Sequence, residues 1–231
     1  GTPVFYDKYR EQIRFTSPIS GKVKELHRGD KRVLLEVIIE SDGKDTAVDF
    51  GKADPAKLSR EEIIEKLLNA GVWPMIRQRP YSVIANPTVK PKAIFISTFD
   101  TAPLAPDYDL IVHGNGDAFQ AGIDALVKLT DGKVHLNING KETPSKVFTN
   151  TKGVQLNKFE GKHPAGNVGT QIAHLDPINK GDIIWYLRPQ EVLHIGRFFL
   201  NGRIDNVQLV ALTGSEVKRP HYFKTRLGAS V

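Results

Sequence analysis

Apolar and polar positions alternate over the first forty residues with the period of a strand. Ile13-Arg14-Phe15-Thr16 reads as a short strand, and Lys22-Val23-Lys24-Glu25-Leu26 puts Val23 and its period-two neighbours on one face. Arg32 to Glu40 is a longer run rich in β-branched residues, which suit a pleated surface. Ser17-Pro18-Ile19-Ser20-Gly21 and His27-Arg28-Gly29-Asp30 separate these runs as turns. A polar stretch over 41–58 follows, and then the period becomes helical. Ser59 and Glu62 form a capping box ahead of an apolar stripe of Ile63, Ile64, Leu67 and Leu68. Gly71 is placed to end that helix in the left-handed conformation.

From residue 91 onward strands and helices alternate. Ala93-Ile94-Phe95-Ile96 reads as a buried strand, Leu110-Ile111-Val112 as a second, and Val134 to Ile138 as a third after the Asp131-Gly132 turn. Asp117 is placed to cap a helix through about Leu129, with Phe119, Ile123, Leu126 and Val127 on one side. Ile183 to Leu187 is a further strand. Pro189 opens a helix bearing Val192, Leu193, Ile195, Phe198 and Phe199, and Gly202 ends it. Val207 to Leu212 is the last strand, with a turn at Gly214.

Strands separated by helices predict a parallel, Rossmann-like layer. The fold class is α/β in the core and α+β overall. A Rossmann-like domain over 46–200 follows a partial barrel-sandwich domain over 1–45 and precedes a β segment over 201–231. The N-terminal pattern is similar to half of a biotinyl/lipoyl-type sandwich. Lys8 sits near the hairpin position where such carriers hold their modified lysine, but the usual flanking residues are missing. The pattern is the carrier fold without the carried group.

Composition narrows the function. No run approaches the roughly 18 apolar residues of a membrane-spanning helix, and the opening residues lack the pattern of a signal peptide. The chain opens at Gly1, which points to a processed or internal piece. Cysteine is absent from all 231 residues, which removes disulfides, thiol catalysis and Cys-held iron–sulfur clusters. The net charge of +6 is spread thinly, and its one cluster is Lys218, Arg219, Lys224 and Arg226 around Tyr222 and Phe223. No nucleic-acid motif accompanies it, so solvated charge on a strand or loop is the better reading.

The chemical motifs fail individually. His113-Gly114-Asn115-Gly116-Asp117 has Phe119 where a dinucleotide loop needs its third glycine. Gly161 to Val168 has a P-loop's glycine spacing, but Asn167 and Val168 replace its lysine and hydroxyl. The seven histidines show no H-x-x-x-H pair, and there is no G-x-S-x-G elbow. No catalytic, cofactor-binding or metal-binding residue is assigned. Two patches stand out. Trp73, Arg77, Arg79 and Tyr81 combine cations with aromatic faces, and Phe159 to Thr170 is a Gly/Pro-rich loop carrying His163 and Pro164. For each, ordinary packing or turn chemistry is the simpler account.

A family resemblance runs through the chain in order. It is carried by Phe15-Thr16-Ser17-Pro18-Ile19-Ser20-Gly21-Lys22-Val23, His27-Arg28-Gly29-Asp30, Gly71-Val72-Trp73-Pro74-Met75-Ile76-Arg77-Gln78-Arg79-Pro80-Tyr81, and Asp100-Thr101-Ala102-Pro103-Leu104. Gly161-Lys162-His163-Pro164-Ala165-Gly166, Ile195-Gly196-Arg197-Phe198-Phe199 and Lys224-Thr225-Arg226-Leu227-Gly228 extend it. These segments resemble the A subunit of the sodium-translocating NADH:quinone reductase. The resemblance implies an internal fragment that starts within the barrel sandwich and stops within a β-grasp, soluble-ligand-binding domain. It also implies a relation to the C subunit of the Rnf complex, as well as to the flavin-binding subunit of complex I. Those relatives place a Gly-rich flavin loop where this chain has Trp73 to Pro80, which lacks glycine.

The resemblance thus implies a peripheral subunit on the cytoplasmic face of the bacterial inner membrane, beside a membrane-embedded partner. Flavins and iron–sulfur groups are expected in partner subunits, with quinone as a ligand and no nucleic acid. The alternative is a soluble module that still binds flavin or NADH. The expected quinone or partner surface comprises Trp73, Arg77, Arg79, Tyr81, Phe99, Asp100, His163 and Pro164, gathered at the carboxyl edge of the sheet. Arg77 or Arg79 is expected to pair with Asp100, because a buried cation needs a counter-charge.

Overall fold

A computed structural model describes residues 1–229. The N-terminal part is two antiparallel hairpins. β1 (Pro3–Asp7) and β2 (Arg10–Thr16) turn at Lys8-Tyr9, so Lys8 is at a hairpin tip. β3 (Gly21–Arg28) and β4 (Leu34–Ser41) pair with a bulge at Lys24. Val23 faces Ile39 and Leu26 faces Val37, which makes one face of this second hairpin apolar. Ile13 of β2 is fully buried and ties this part to the main core.

α1 (Arg60–Asn69) begins with the expected capping box: the Glu62 amide donates to Ser59 Oγ at 3.3 Å, and the Ser59 amide donates to Glu62 Oε2 at 2.8 Å. Gly71 ends it at φ +70, with Thr16 so close that a Cβ would lie 2.7 Å from its side chain. A 3-10 turn over Trp73–Met75 leads to β5 (Arg77–Arg79) and β6 (Val83–Ile84). The α/β layer follows: β7 (Ala93–Ser97), α2 (Tyr108–Val112), α3 (Gly116–Val127), β8 (Val134–Asn139), α4 (Lys146–Thr149), β9 (Gln155–Phe159), α5 (Val168–Leu175), β10 (Ile184–Leu187) and α6 (Pro189–Asn201).

One six-stranded sheet results, in the order β6-β5-β10-β7-β8-β9. β10, β7, β8 and β9 are parallel, whereas β5 runs antiparallel to β10 and β6 antiparallel to β5. The layer is mixed, not purely parallel. Ala93 through Ile96 are buried on both faces, as an inner parallel strand requires.

Leu110-Ile111-Val112 is not a strand of this sheet. Asp107 Oδ1 accepts the amides of Asp109 and Leu110 and starts α2 instead. A three-residue apolar run has no period of its own, so the upstream cap decides. Likewise α3 starts at Gly116 behind Asn115, and Asp117 lies in its first turn, not at its cap.

The two sheet faces are covered unequally. α3 and α6 pack side by side over one face, and α5 alone sets Ile172 against Ala93, Phe95 and Ile184 on the other. The α3–α6 contact depends on two glycines. A Cβ on Gly196 would lie 1.7 Å from the Ala118 carbonyl oxygen, and one on Gly122 would lie 2.3 Å from that of Val192.

β11 (Val207–Leu212) and β12 (His221–Arg226) close the described chain as an antiparallel pair. The Asp107 amide donates to Tyr222 Oη at 2.7 Å, Asn206 Nδ2 donates to the Pro18 carbonyl at 3.0 Å, and Arg226 pairs with Asp45 at 2.6 Å. These bonds join the C-terminal hairpin to both earlier parts. Among the described residues no helix is long and apolar enough to cross a membrane.

Gly196→Ala is expected to destabilise the chain by ~1–3 kcal/mol or more, since the helices must separate to admit a methyl group. Urea unfolding checks this: an unchanged midpoint would show that the helix pair is not packed through its glycines.

Candidate functional site

The chain builds β7, β8 and β9 outward on one side and then returns to place β10 on the other side of β7. The order reverses between β10 and β7, and ligand crevices in open α/β sheets lie beyond the carboxyl ends at such a point. Leu187 pairs with Ile96 there, so Arg188-Pro189 and Ser97-Thr98-Phe99-Asp100 leave the sheet at the same edge.

A cleft of about 760 Å³ opens at this edge. All three parts of the chain wall it. Phe15 comes from β2, Met75 and Arg77 from around β5, Tyr186, Arg188, Glu191 and His194 from β10 and α6, and Leu209 to Ala211 from β11. A second pocket of about 390 Å³, walled by Phe99, Asp100, Asp107, Asn139 and Glu142, shares Pro106 and Tyr108 with it. The larger volume lies within the range typical of small-molecule sites.

The first turn of α6 supplies the charged end of the cleft. The Arg188 amide donates to Glu191 Oε2 at 2.6 Å, so this acid caps its own helix. Burial raises the Glu191 pKa above the ordinary carboxylate range, against the opposing pull of the Arg188 amide and of the Arg188 and Arg77 guanidinium groups. Burial also raises the Tyr108 phenol, with Asp100 and Glu191 adding to the shift. One turn along α6, His194 is 3% exposed, with the Asp205 backbone beside its ring and, among the described residues, no hydrogen bond of ordinary geometry at either nitrogen. Its burial lowers its pKa.

A buried polar network fixes the other bank. Asn157 Nδ2 donates to Asn137 Oδ1 at 2.8 Å, Asn137 Nδ2 to Gln171 Oε1 at 2.8 Å, and Gln171 Nε2 to Ser97 Oγ at 2.9 Å. Ser97 Oγ in turn donates to the Gly166 carbonyl at 3.1 Å. The Gly166 amide donates to Thr101 Oγ1 at 3.0 Å, and His163 Nδ1 lies 3.1 Å from the same hydroxyl. A Cβ on Gly166 would come within 2.6 Å of the Thr101 nitrogen, so the loop needs glycine at this approach.

The structure therefore brings His163 and Pro164 beside the Phe99–Thr101 segment, although neither lines a cavity described above. Phe99 and Asp100 wall the smaller pocket and Arg77 the larger one. Trp73 is elsewhere. It is fully buried, edge-on to Trp185 with centroids 5.4 Å apart, and its Nε1 donates to the Ala85 carbonyl at 2.7 Å. Arg79 pairs with Ile184 at the amino end of β10 and lays its guanidinium over Tyr186, 5.0 Å from the ring centre. Tyr81 is 89% exposed in the β5–β6 turn.

The expected arginine–Asp100 pair is absent among the described residues. Arg77 donates to the Ser82 carbonyl, and Asp100 accepts the Ala102 amide at 2.8 Å. Arg77 and Arg79 sit opposite Tyr186 and Ile184, two residues apart along β10, and their guanidinium groups go to the Ser82 carbonyl and the Tyr186 ring, which a contiguous motif conceals. Tyr108, Tyr186, Arg188, Glu191 and His194 were not singled out by the sequence. The available signal was Glu191 and His194 three apart, on one helix face immediately after a strand. Among the described residues no group of three or more His, Asp or Glu is placed to hold a metal ion.

The architecture defines a three-part α/β protein with an open crevice at its switch point. The family models matching it are described as the NqrA N-terminal barrel-sandwich hybrid domain over 1–42, the NqrA second alpha/beta domain over 58–204 and the NQRA C-terminal domain over 209–231. The chain belongs to the NqrA family. Among curated relatives, the A subunit of the Na(+)-translocating NADH-quinone reductase of Yersinia pseudotuberculosis serotype O:1b is 40% identical over 234 residues, covering 100% of this chain and 52% of the relative. Those of Alcanivorax borkumensis and Neisseria gonorrhoeae are 39% and 38% identical over the same shares. The chain spans about half the length of these relatives.

Acid should destabilise this chain through its buried histidines. His194 and His135, the latter stacked 4.4 Å from Phe95, both have pKa values lowered by burial from the ordinary 6.5. The unfolded chain takes up these protons first, so stability falls as pH drops below about 6.5. His194→Leu should make that decline shallower in urea unfolding followed against pH. An unaltered slope would mean that His194 is not the group titrating.

Proposed function

We propose that the chain serves a sodium-translocating NADH-quinone reductase as a peripheral part that holds no flavin of its own and receives quinone in the 760 Å³ cleft. One observation carries this reading: at the amino terminus of α6, at the switch point, the Arg188 amide is already taken by the Glu191 carboxyl. A dinucleotide would set its phosphates at such a helix end, where Glu191 occupies the amide and adds negative charge. A quinone has no phosphate. It offers carbonyl acceptors and an apolar body, which suit the Arg77 and Arg188 donors and the walls of Phe15, Met75, Ile111 and Leu209.

The segment after α1 supports the same reading. Where a flavin loop needs bare backbone, Trp73 fills the space against Trp185. In this proposal the protein lies at the cytoplasmic face of the bacterial inner membrane against a membrane-embedded partner. Flavins and iron–sulfur groups belong to other subunits, and docking during assembly uses the same edge. A flavin- or NADH-binding module is the competing reading. It requires phosphates at the helix end that Glu191 already occupies.

The purified chain is expected to be colourless after desalting and to bind a short-tailed benzoquinone in preference to FMN or NADH. Arg77→Ala should weaken quinone binding by about tenfold, the scale of one hydrogen bond to a charged group. Stoichiometric FMN absorbance that survives desalting would refute the reading.

A further inference from the structure

Glu191 is the one acid among the residues lining the larger cleft, and Arg77 and Arg188 are its two cations. We propose that Glu191 meets a quinone carbonyl as a neutral carboxylic acid, so that filling this cleft takes up one proton from solution. The inference rests on the reading of the cleft as a quinone site.

The geometry leaves Glu191 one free oxygen. Oε2 accepts the Arg188 amide at 2.6 Å, and among the described residues no hydrogen bond reaches Oε1. A quinone carbonyl only accepts hydrogen bonds. An ionised carboxylate only accepts as well, so the two oxygens repel, whereas a protonated carboxyl donates. The cost of protonation is already reduced, because burial holds this carboxyl above its ordinary range.

The groups facing Glu191 are few. Its own helix supplies Arg188 and His194, β5 supplies Arg77, and α2 supplies the Tyr108 phenol. β11 contributes Gln208, Leu209, Val210 and Ala211 and no charge. The guanidinium groups favour the anion in the open, wet cleft. A planar apolar ring expels that water and deepens the desolvation that favours the neutral acid. His194 lines the same cleft one turn further along α6, almost wholly buried, with the Asp205 backbone beside its ring and, among the described residues, no hydrogen bond of ordinary geometry.

The test is equilibrium binding of a short-tailed benzoquinone to the full chain from about pH 5 to pH 9, compared with Glu191→Gln. Glutamine keeps an oxygen for the Arg188 amide and cannot ionise. The native chain should bind with constant affinity in acid and then lose up to about tenfold per pH unit once free Glu191 ionises. Glu191→Gln should give a flat profile. Infrared difference spectra at neutral pH should show a protonated-carboxyl band on quinone addition to the native chain, and none with the variant. If Glu191→Gln does not fold, the native chain's band decides alone. Quinone binding with the same pH profile in both proteins and no carboxyl band would overturn the inference and leave the quinone site standing. No binding by either protein at any pH would overturn the quinone site, and the inference with it.

Discussion

The edge-to-face contact between Trp73 and Trp185 is the constraint on which the rest of the site depends. Both rings are fully buried, and the contact joins the segment after α1 to the strand at the switch point. Such a pair adds about 0.5–1.5 kcal/mol beyond the area it buries. Its larger consequence is positional. With Trp73 anchored to Trp185 and to the Ala85 carbonyl, β5 lies antiparallel along β10 and Arg77 falls at the carboxyl edge. The aromatic pair fills the interior between the two segments.

Electrostatics in the cleft follow from that packing. Glu191 stands between two guanidinium groups yet has its pKa raised, because desolvation outweighs their attraction. The balance reflects where the groups sit. Arg188 is exposed and hydrated, and Arg77 spends a guanidinium N–H on the Ser82 carbonyl. The same desolvation keeps His194 neutral one turn away. The cleft thus sets two cations, Arg77 and Arg188, beside an acid whose ionised form burial disfavours.

The two banks of the crevice are held by different physics. The α6 bank is fixed by close backbone packing, in which Gly122 and Gly196 let α3 and α6 approach within a distance that no side chain tolerates. The opposite bank is fixed by polar satisfaction, from Asn157 through Asn137 and Gln171 to Ser97 and the Gly166 carbonyl. Each buried amide in that chain would be costly if left unpaired, so the network specifies one arrangement of the loop over 161–167.

Local elements were legible in the sequence wherever their cause is local. The Ser59–Glu62 capping box, the left-handed Gly71, the buried strand at 93–96 and the Pro189–Gly202 helix each follow from neighbouring residues, and the structure contains them all. Leu110 to Val112 misled because three apolar residues carry no period and the Asp107 cap upstream governs them. The site was legible only in part. The sequence marked Arg77, Phe99 and Asp100, but tertiary structure kept Trp73, Arg79 and Tyr81 out of the cleft lining, sending Trp73 into the core, Arg79 onto the Tyr186 ring and Tyr81 to an exposed turn. It also raised Glu191 and His194 from ordinary helical positions to the lining of the cleft. What the sequence by itself determined was the set of elements and the family pattern, because caps, turns and periodicity act over a few residues. Which side chains share a crevice was decided only by strand order and burial, because the return of β10 beside β7 joins residues some ninety positions apart.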